Sequence, residues 1–303
     1  MPKVSIIIVN YNGERVLGDC LMSVDGQSFR DFEVVLVDNA STDGSLSLAG
    51  HLREEWKETP FHLISLPENR GFTGGNIEGL RHCSGDYIVL LNNDTEPDRG
   101  WLQALADAAD AHPEVGICAS KLIKHGTNSV DSAGDLFSTA LKGFKRGEGD
   151  IASGFSREEY IFGACAGAAL YRRSMLDDIG FLDEDFFLIH EDTDLNWRAQ
   201  LSGWKVLYVP SAVVYHKVRS TIGRMSDLAV YYTVRNSEFV RIKDMPCRVF
   251  FRCFPSFLAG MLTEFVLFGI RHRRPGLYLK AKSDALRLLP RMMKKRTDIM
   301  KKR

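Results

Sequence analysis

Three carboxylates fall within four residues in HEDTDL (190–195): Glu191, Asp192 and Asp194. A carboxylate at the mouth of a cleft can take the proton from an attacking hydroxyl, the work of a general base. The same acids also suit the first turn of a helix, where they complement its macrodipole. Asp194 stands four residues before Arg198, the spacing of a helical ion pair. A second set of polar residues ends apolar runs. In YIVLLNNDTEPD (87–98), Tyr87 to Leu91 run straight into Asn92, Asn93 and Asp94, and only the last is charged. VSIIIVN ends on Asn10 and FEVVLVD on Asp38. Short polar side chains at such ends accept hydrogen bonds from a ligand, or cap the turn that follows.

Holding these groups together requires a frame, and the first 120 residues supply a pattern for one. Apolar runs at 4–10, 32–38, 61–66, 87–92 and 115–123 read as buried strands. Amphipathic stretches around 14–25, 43–55, 73–83 and 98–112 read as helices between them. The alternation predicts an α/β fold, a mostly parallel sheet with helices on both faces. Such sheets bind ligands beyond the carboxyl ends of their strands, the end where Asn10, Asp38 and Asn92 to Asp94 lie. Residues 124–160 are rich in glycine and charge and read as loops with an irregular hairpin. YIFGACAGAALYRRSM (160–175) reads as a strand entering a helix, 190–204 as a helix stopped at Gly203, and 205–216 as extended.

The 303 residues carry no formal net charge, but residues 271–303 hold 13 Lys/Arg against 2 Asp/Glu, a net of +11, which leaves −11 on residues 1–270. A basic tail on an acidic body points to an anionic partner. Six scattered cysteines without a C-x-x-C pair suit reduced thiols in a cytosolic protein, and the N-terminus has neither the basic nor the apolar region of a signal peptide.

Five motifs then occur in a telling order: IIIVNYNG, VLVDNASTDGS, ENRGFTGGNIEGL, LLNNDT and HEDTDL. Together they make the chain, over roughly residues 3 to 220, resemble the inverting family 2 glycosyltransferases of GT-A fold. The likeness is nearest to the bacterial rhamnosyltransferase-like and galactofuranosyltransferase-like branch. The resemblance implies a catalytic domain over 1–225, with a nucleotide-sugar half (1–122) and an acceptor half (123–225), followed by a helical, basic C-terminal region at 226–303. It assigns the nucleotide sugar to Asn10, Tyr11, Asn12, Asp38, Arg70, Gly71, Asn76 and Asn93, with Tyr11 packed on the base and Arg70 reaching base or diphosphate. It assigns a divalent metal, Mg²⁺ or Mn²⁺, to Asp94, His216 and Asn92. Asp94 supplies a charged hard oxygen, whereas Asn92 offers only a neutral carbonyl in place of the commoner second acid. The general base becomes Asp192, with Glu191 beside it and Asp194 on the acceptor side.

The implied activity is transfer of a hexose, best matched by L-rhamnose from dTDP-rhamnose, to a lipid-linked or polysaccharide acceptor in cell-envelope glycan synthesis. Another hexosyl or galactofuranosyl transferase, or a non-catalytic nucleotide-binding scaffold at the membrane, are the alternatives. RGFTGGN lacks the G-x-G-x-x-G spacing and follows the third strand, against a dehydrogenase. Its Gly74 and Gly75 serve either a close backbone approach to the nucleotide or a plain turn.

In the tail, Phe250, Phe251, Phe254, Phe257, Leu258, Met261, Leu262, Phe265 and Phe268 share one helical face. Leu277, Tyr278, Ala281, Ala285, Leu288 and Leu289 repeat the pattern. Basic amphipathic helices of this kind lie in the interface of an anionic membrane, which predicts a peripheral enzyme at the inner face of the plasma membrane. The alternative is packing on the enzyme's own body or on a second subunit in a homo-oligomer. The Phe stripe is too apolar for a nucleic-acid arm.

Overall fold

The computed structural model describes residues 1–56, 58–217 and 226–301. The expected domain boundary at 225/226 abuts residues 218–225, which lie outside the described residues. Four apolar runs form parallel neighbours in the order β4 (Tyr87–Asn92), β1 (Val4–Asn10), β2 (Phe32–Asp38), β3 (Phe61–Ser65). β4, β1 and β2 are nearly uninterrupted in apolar residues because both faces are covered, whereas the edge strand β3 stays partly exposed. Alternate residues point to opposite sides. Ile6, Ile8, Leu36 and Leu91 meet α1 (Leu17–Asp25) and α4 (Trp101–Ala111), while Ile7 and Leu90 meet α3 (Gly71–Leu80), α5 (Arg173–Ile179) and α6 (Glu191–Leu201). Helix α2 (Ser45–Glu55) covers the β2–β3 side. Gly75 and Gly79 explain how α3 lies so near β1. A Cβ on them would stand 2.6 Å from Val9 Cγ1 and 2.5 Å from Ile7 Cγ2. Gly75 therefore serves packing.

The second half of the sheet departs from simple alternation. β11 (Ala168–Arg172) inserts antiparallel between β4 and β6 (Val115–Lys124), and β12 (Lys205–His216) runs parallel to β6 on its other side. Short strands β5 (Thr95–Pro97), β7 (Val130–Ser132) and β10 (Glu159–Ile161) extend this edge. The glycine-rich stretch holds a separate hairpin of β8 (Asp135–Phe137) and β9 (Gly143–Lys145). This is the mixed, mostly parallel α/β sheet flanked by helices of a GT-A fold, with a helical C-terminal extension.

That extension comprises α7 (Asp227–Lys243), α8 (Cys247–Glu264, running on as a π-helix to Arg271), α9 (Pro275–Arg287) and α10 (Leu289–Lys301). The second apolar stripe does not face outward as expected. Tyr278, Ala281 and Ala285 are buried against Val234, Phe239 and Val240 of α7, with Met292 of α10 in the same cluster. Burying each such large side chain contributes about 1.5–3 kcal/mol, so α9 and α10 are held by the body itself. Several tail cations are also consumed internally: Lys295 by Asp183 and Asp185, Arg291 by Asp185, Lys282 by Glu238 and Glu264. Helix α8 differs. Phe251, Phe254, Leu258, Leu262, Val266 and Ile270 form an exposed stripe, while Phe257, Phe265 and Phe268 turn toward the protein. Cys247–Arg271 is, among the described residues, one helix long and apolar enough to cross a membrane.

Candidate active site

Two cavities open beyond the carboxyl ends of β1, β2 and β4. One, of about 340 Å³, is lined by Tyr11, Asn39, Asn69, Gly71, Asn92, Asn93 and Asp94, with Phe187 and Leu228 as apolar walls. The other, of about 360 Å³, is lined by Asp135, Lys145, Cys165, Glu191 and Asp192. Phe72, Asn92 and Leu188 line both, so the triplet that ends β4 stands at the junction.

The first cavity rests on a network of short side chains. Asn10 is buried and donates through Nδ2 to Asp38 Oδ1 at 3.1 Å and to Ser45 Oγ at 2.9 Å, while its Oδ1 accepts from Asn93 Nδ2 at 2.8 Å. Asp38 is buried, and its Oδ2 accepts from the Ser41 amide three residues on at 3.1 Å, so it caps the turn that follows β2. Asn12 likewise holds the loop, accepting from the Thr42 amide at 2.8 Å.

Two further residues expected to meet the nucleotide sugar have protein partners in this structure. Asn76 is buried and donates to the Phe72 carbonyl one helical turn back at 2.8 Å, because α3 lies flat on β1. The guanidinium of Arg70 is turned to Glu78 at 3.4 Å and Glu184 at 3.7 Å instead of lining the cavity. Its neighbours do face inward. Gly71 has φ +70, and a Cβ there would meet the Phe187 carbonyl at 2.4 Å. Asn39 and Asn69 carry polar groups into the same space. Neither was singled out, although each adjoins a motif residue.

At the far wall, His216 bridges two acids. Its Nε2 lies 3.2 Å from Asp94 Oδ1 and its Nδ1 2.8 Å from Asp131 Oδ2, and Asp131 also takes Lys145 Nζ at 2.7 Å. Burial alone would lower the pKa of His216, but hydrogen bonds to Asp131 and Asp94 push it up to about 9. A divalent ion bound here would displace the imidazolium proton, leaving one carboxylate oxygen and one imidazole nitrogen as donors, a set that suits such an ion. Among the described residues no group of three His, Cys, Asp or Glu side chains could hold a metal alone. Asp131 escaped the sequence reading because it lies in a stretch without periodicity.

In the second cavity Asp192 is positioned by its own helix. Its Oδ1 accepts from the Thr193 amide at 2.7 Å and its Oδ2 from the Ala166 amide at 3.4 Å. Glu191 is buried, one carboxyl oxygen has no hydrogen-bond partner, and burial followed by the charge of Asp192 raises its pKa well above the usual range. Asp194 faces away. It is wholly buried, bonded to Arg198 Nε at 2.9 Å in the i,i+4 ion pair its spacing suggests, and ion-paired with Lys243.

The chain reaches Asp192 through an unusual turn. Phe187, Ile189 and His190 all have positive φ, at a cost on the order of 1–3 kcal/mol each. Helix α7 supports them. Asn236 Nδ2 donates toward the carbonyls of Phe186, Leu188 and Ile189 at 2.9, 2.8 and 2.7 Å, and Arg235 binds those of Asp185 and Phe186 at 2.6 and 3.1 Å.

A model of the glycosyl transferase family 2 matches residues 5–180, more than half of the chain. The chain belongs to that family. Among curated relatives it is 22% identical over 224 residues to a poly-beta-1,6-N-acetyl-D-glucosamine synthase of Staphylococcus aureus (strain COL), over 74% of this chain and 52% of the relative. The chain thus spans about half the length of the curated relatives it matches. Among solved structures, S. aureus TarS 1-349 in complex with UDP-GlcNAc superposes with a TM-score of 0.64 at 19% identity, covering 98% of this chain and 89% of that one. A mannosyltransferase of Pyrobaculum calidifontis with GDP-Man and Mn2+ gives 0.57 at 20% identity, covering 99% and 86%. These structures share the fold of the family 2 chain described here. The family match ends before α6, so Asp192, His216 and Asn236 lie beyond it.

Proposed function

We propose that this protein is an inverting, metal-dependent glycosyltransferase that moves a sugar from a nucleotide donor to a lipid-linked or polysaccharide acceptor in cell-envelope glycan synthesis. The observation that carries the reading is the junction of two cavities at Asn92, one bounded by Asp94 and the other by Asp192. Residues 1–122 serve the donor and 123–225 the acceptor. Tyr11, Gly71 and Asn93 line the space for the nucleotide sugar, with Asp38 and Asn10 shaping it from below. Asp94 and His216, with the Asn92 carbonyl, hold the divalent ion. When bound, that ion offsets the charge of the leaving diphosphate. Asp192 takes the proton from the acceptor hydroxyl, its carboxylate aimed by the Thr193 and Ala166 amides.

The enzyme works at the cytoplasmic face of the plasma membrane, with α8 lying on the lipid. Support comes from its exposed apolar stripe, flanked by exposed Arg248, Arg252, Arg271 and Arg273. The donor is a hexose nucleotide, with dTDP-L-rhamnose expected from motif resemblance. The relatives named above bear other sugars in their names, so UDP-GlcNAc and GDP-mannose enter the test on equal terms. The experiment is nucleotide release from these three donors and UDP-galactofuranose, with Mn²⁺ and with EDTA. Release from one donor, lost in EDTA, is the expected result, and no release from any overturns the reading.

A further inference from the structure

The second cavity holds a carboxyl that the functions assigned so far leave unused. Asp135 opens the β8–β9 hairpin, where its amide donates to the Gly163 carbonyl at 2.7 Å and fixes the backbone. The residue is only 8% exposed, yet among the described residues no hydrogen-bond donor reaches its carboxyl. The carboxyl instead faces the cavity, where it is placed to meet whatever enters. The cross-strand partner Lys145 is the obvious donor, but Lys145 Nζ is bonded to Asp131 at 2.7 Å. Asp135 lines the same space as Asp192, on the hairpin that forms the opposite wall from α6. Burial, then the charge of Asp192, raises its pKa well above the carboxylate range, which fits a neutral carboxyl able both to donate and to accept.

We propose that Asp135 is an acceptor-binding residue, pairing with a second hydroxyl of the sugar whose attacking hydroxyl is served by Asp192. The inference rests on the glycosyl-transfer reading and narrows it. The acceptor is a sugar or polyol that presents two hydroxyls to one cavity, not an isolated alcohol such as a serine side chain. Gly143, also on the hairpin, keeps its backbone close to α6, since a Cβ there would stand 3.1 Å from Thr193 Oγ1.

The test uses the full chain, the nucleotide sugar that the donor panel identifies, and n-octyl glycosides with their monodeoxy analogues as acceptors. Asp135→Ala is expected to raise the KM for the octyl glycoside at least about tenfold, with UDP or dTDP affinity by calorimetry within twofold of wild type. Asp135→Asn, which still pairs with a hydroxyl, should recover most of that loss. One monodeoxy analogue should be poor for the wild type and no poorer for Asp135→Ala than the parent glycoside. A site built to bind a hydroxyl discriminates in this way. Unchanged KM in Asp135→Ala, equal loss of nucleotide affinity, or no rescue by Asn overturns the proposal while leaving glycosyl transfer intact. No turnover of any donor by the wild type overturns both.

Discussion

Nε2 of His216 lies 3.2 Å from Oδ1 of Asp94, although one ends β12 and the other follows β4. Asp94 lines the first cavity, and Asp131 holds the other ring nitrogen of His216. Asp94→Ala is expected to abolish Mn²⁺-stimulated transfer without unfolding the chain. Asp131→Ala, which frees the ring, should weaken Mn²⁺ binding about 10–100-fold, the usual cost of losing an outer-shell partner. Mn²⁺ titration of both variants checks this, and equal affinity in all three proteins would refute the metal assignment.

Asp192→Asn keeps the size of the side chain and the contact with the Thr193 amide, gives up the weaker one with the Ala166 amide, and cannot accept a proton. Turnover should fall by about 10²–10⁴ with nucleotide affinity unchanged. Glu191→Gln should be milder, because a carboxyl already held neutral by burial loses little when made an amide. Single-turnover kinetics separates the two, and a dead Glu191→Gln would transfer the role to Glu191.

Asp194 belongs to the scaffold, and its loss should be read in stability. Removing one member of a buried ion pair costs about 3–5 kcal/mol, so Asp194→Ala should lower the melting temperature sharply. Acidity acts on the same cluster. Burial alone would raise the pKa of Asp183, but Lys243 and Lys295 hold it well below the usual range. A depressed folded pKa gives stability that is present above about pH 4 and lost as pH falls further. Acid unfolding monitored by circular dichroism should be shallower in Asp183→Asn, and an unchanged profile would refute this linkage.

The parallel half of the sheet is legible because each strand is apolar on both faces and ends on a polar residue. The inserted antiparallel β11 is not, since small residues such as Ala168 and Ala169 signal burial but no direction. The site divides along similar lines. Asp94, Asn93 and Asp192 sit beside strong periodic elements, which carry them to the cavities they line. Asp131, Asp135 and Asn236 come from a glycine-rich stretch and from a helix far along the chain, where only tertiary contact brings them to the crevice. Asn76 and Asp194 show the other side of the same rule: polar residues within motifs are equally apt for local hydrogen bonds and ion pairs, and both make them here.

The exposed stripe on α8 gives a solution test. Leu258→Glu with Leu262→Glu should cut flotation with anionic vesicles at least about tenfold and leave the melting temperature unchanged, because both side chains face outward. High salt should weaken the wild type in the same assay. If the wild type instead ignores vesicles and the double variant turns a dimer into a monomer, the stripe meets a second copy.

The turn at 186–190 ties the placement of the Asp192 carboxylate to a helix that begins at residue 227. A chimaera that exchanges only the C-terminal helices between two family members would pair that turn with a foreign partner for its carbonyls. The interchangeable unit is the turn together with α7. Changes confined to β1 to β4 leave that unit intact, whereas any change that repacks α7 will be felt first at the turn leading to Asp192.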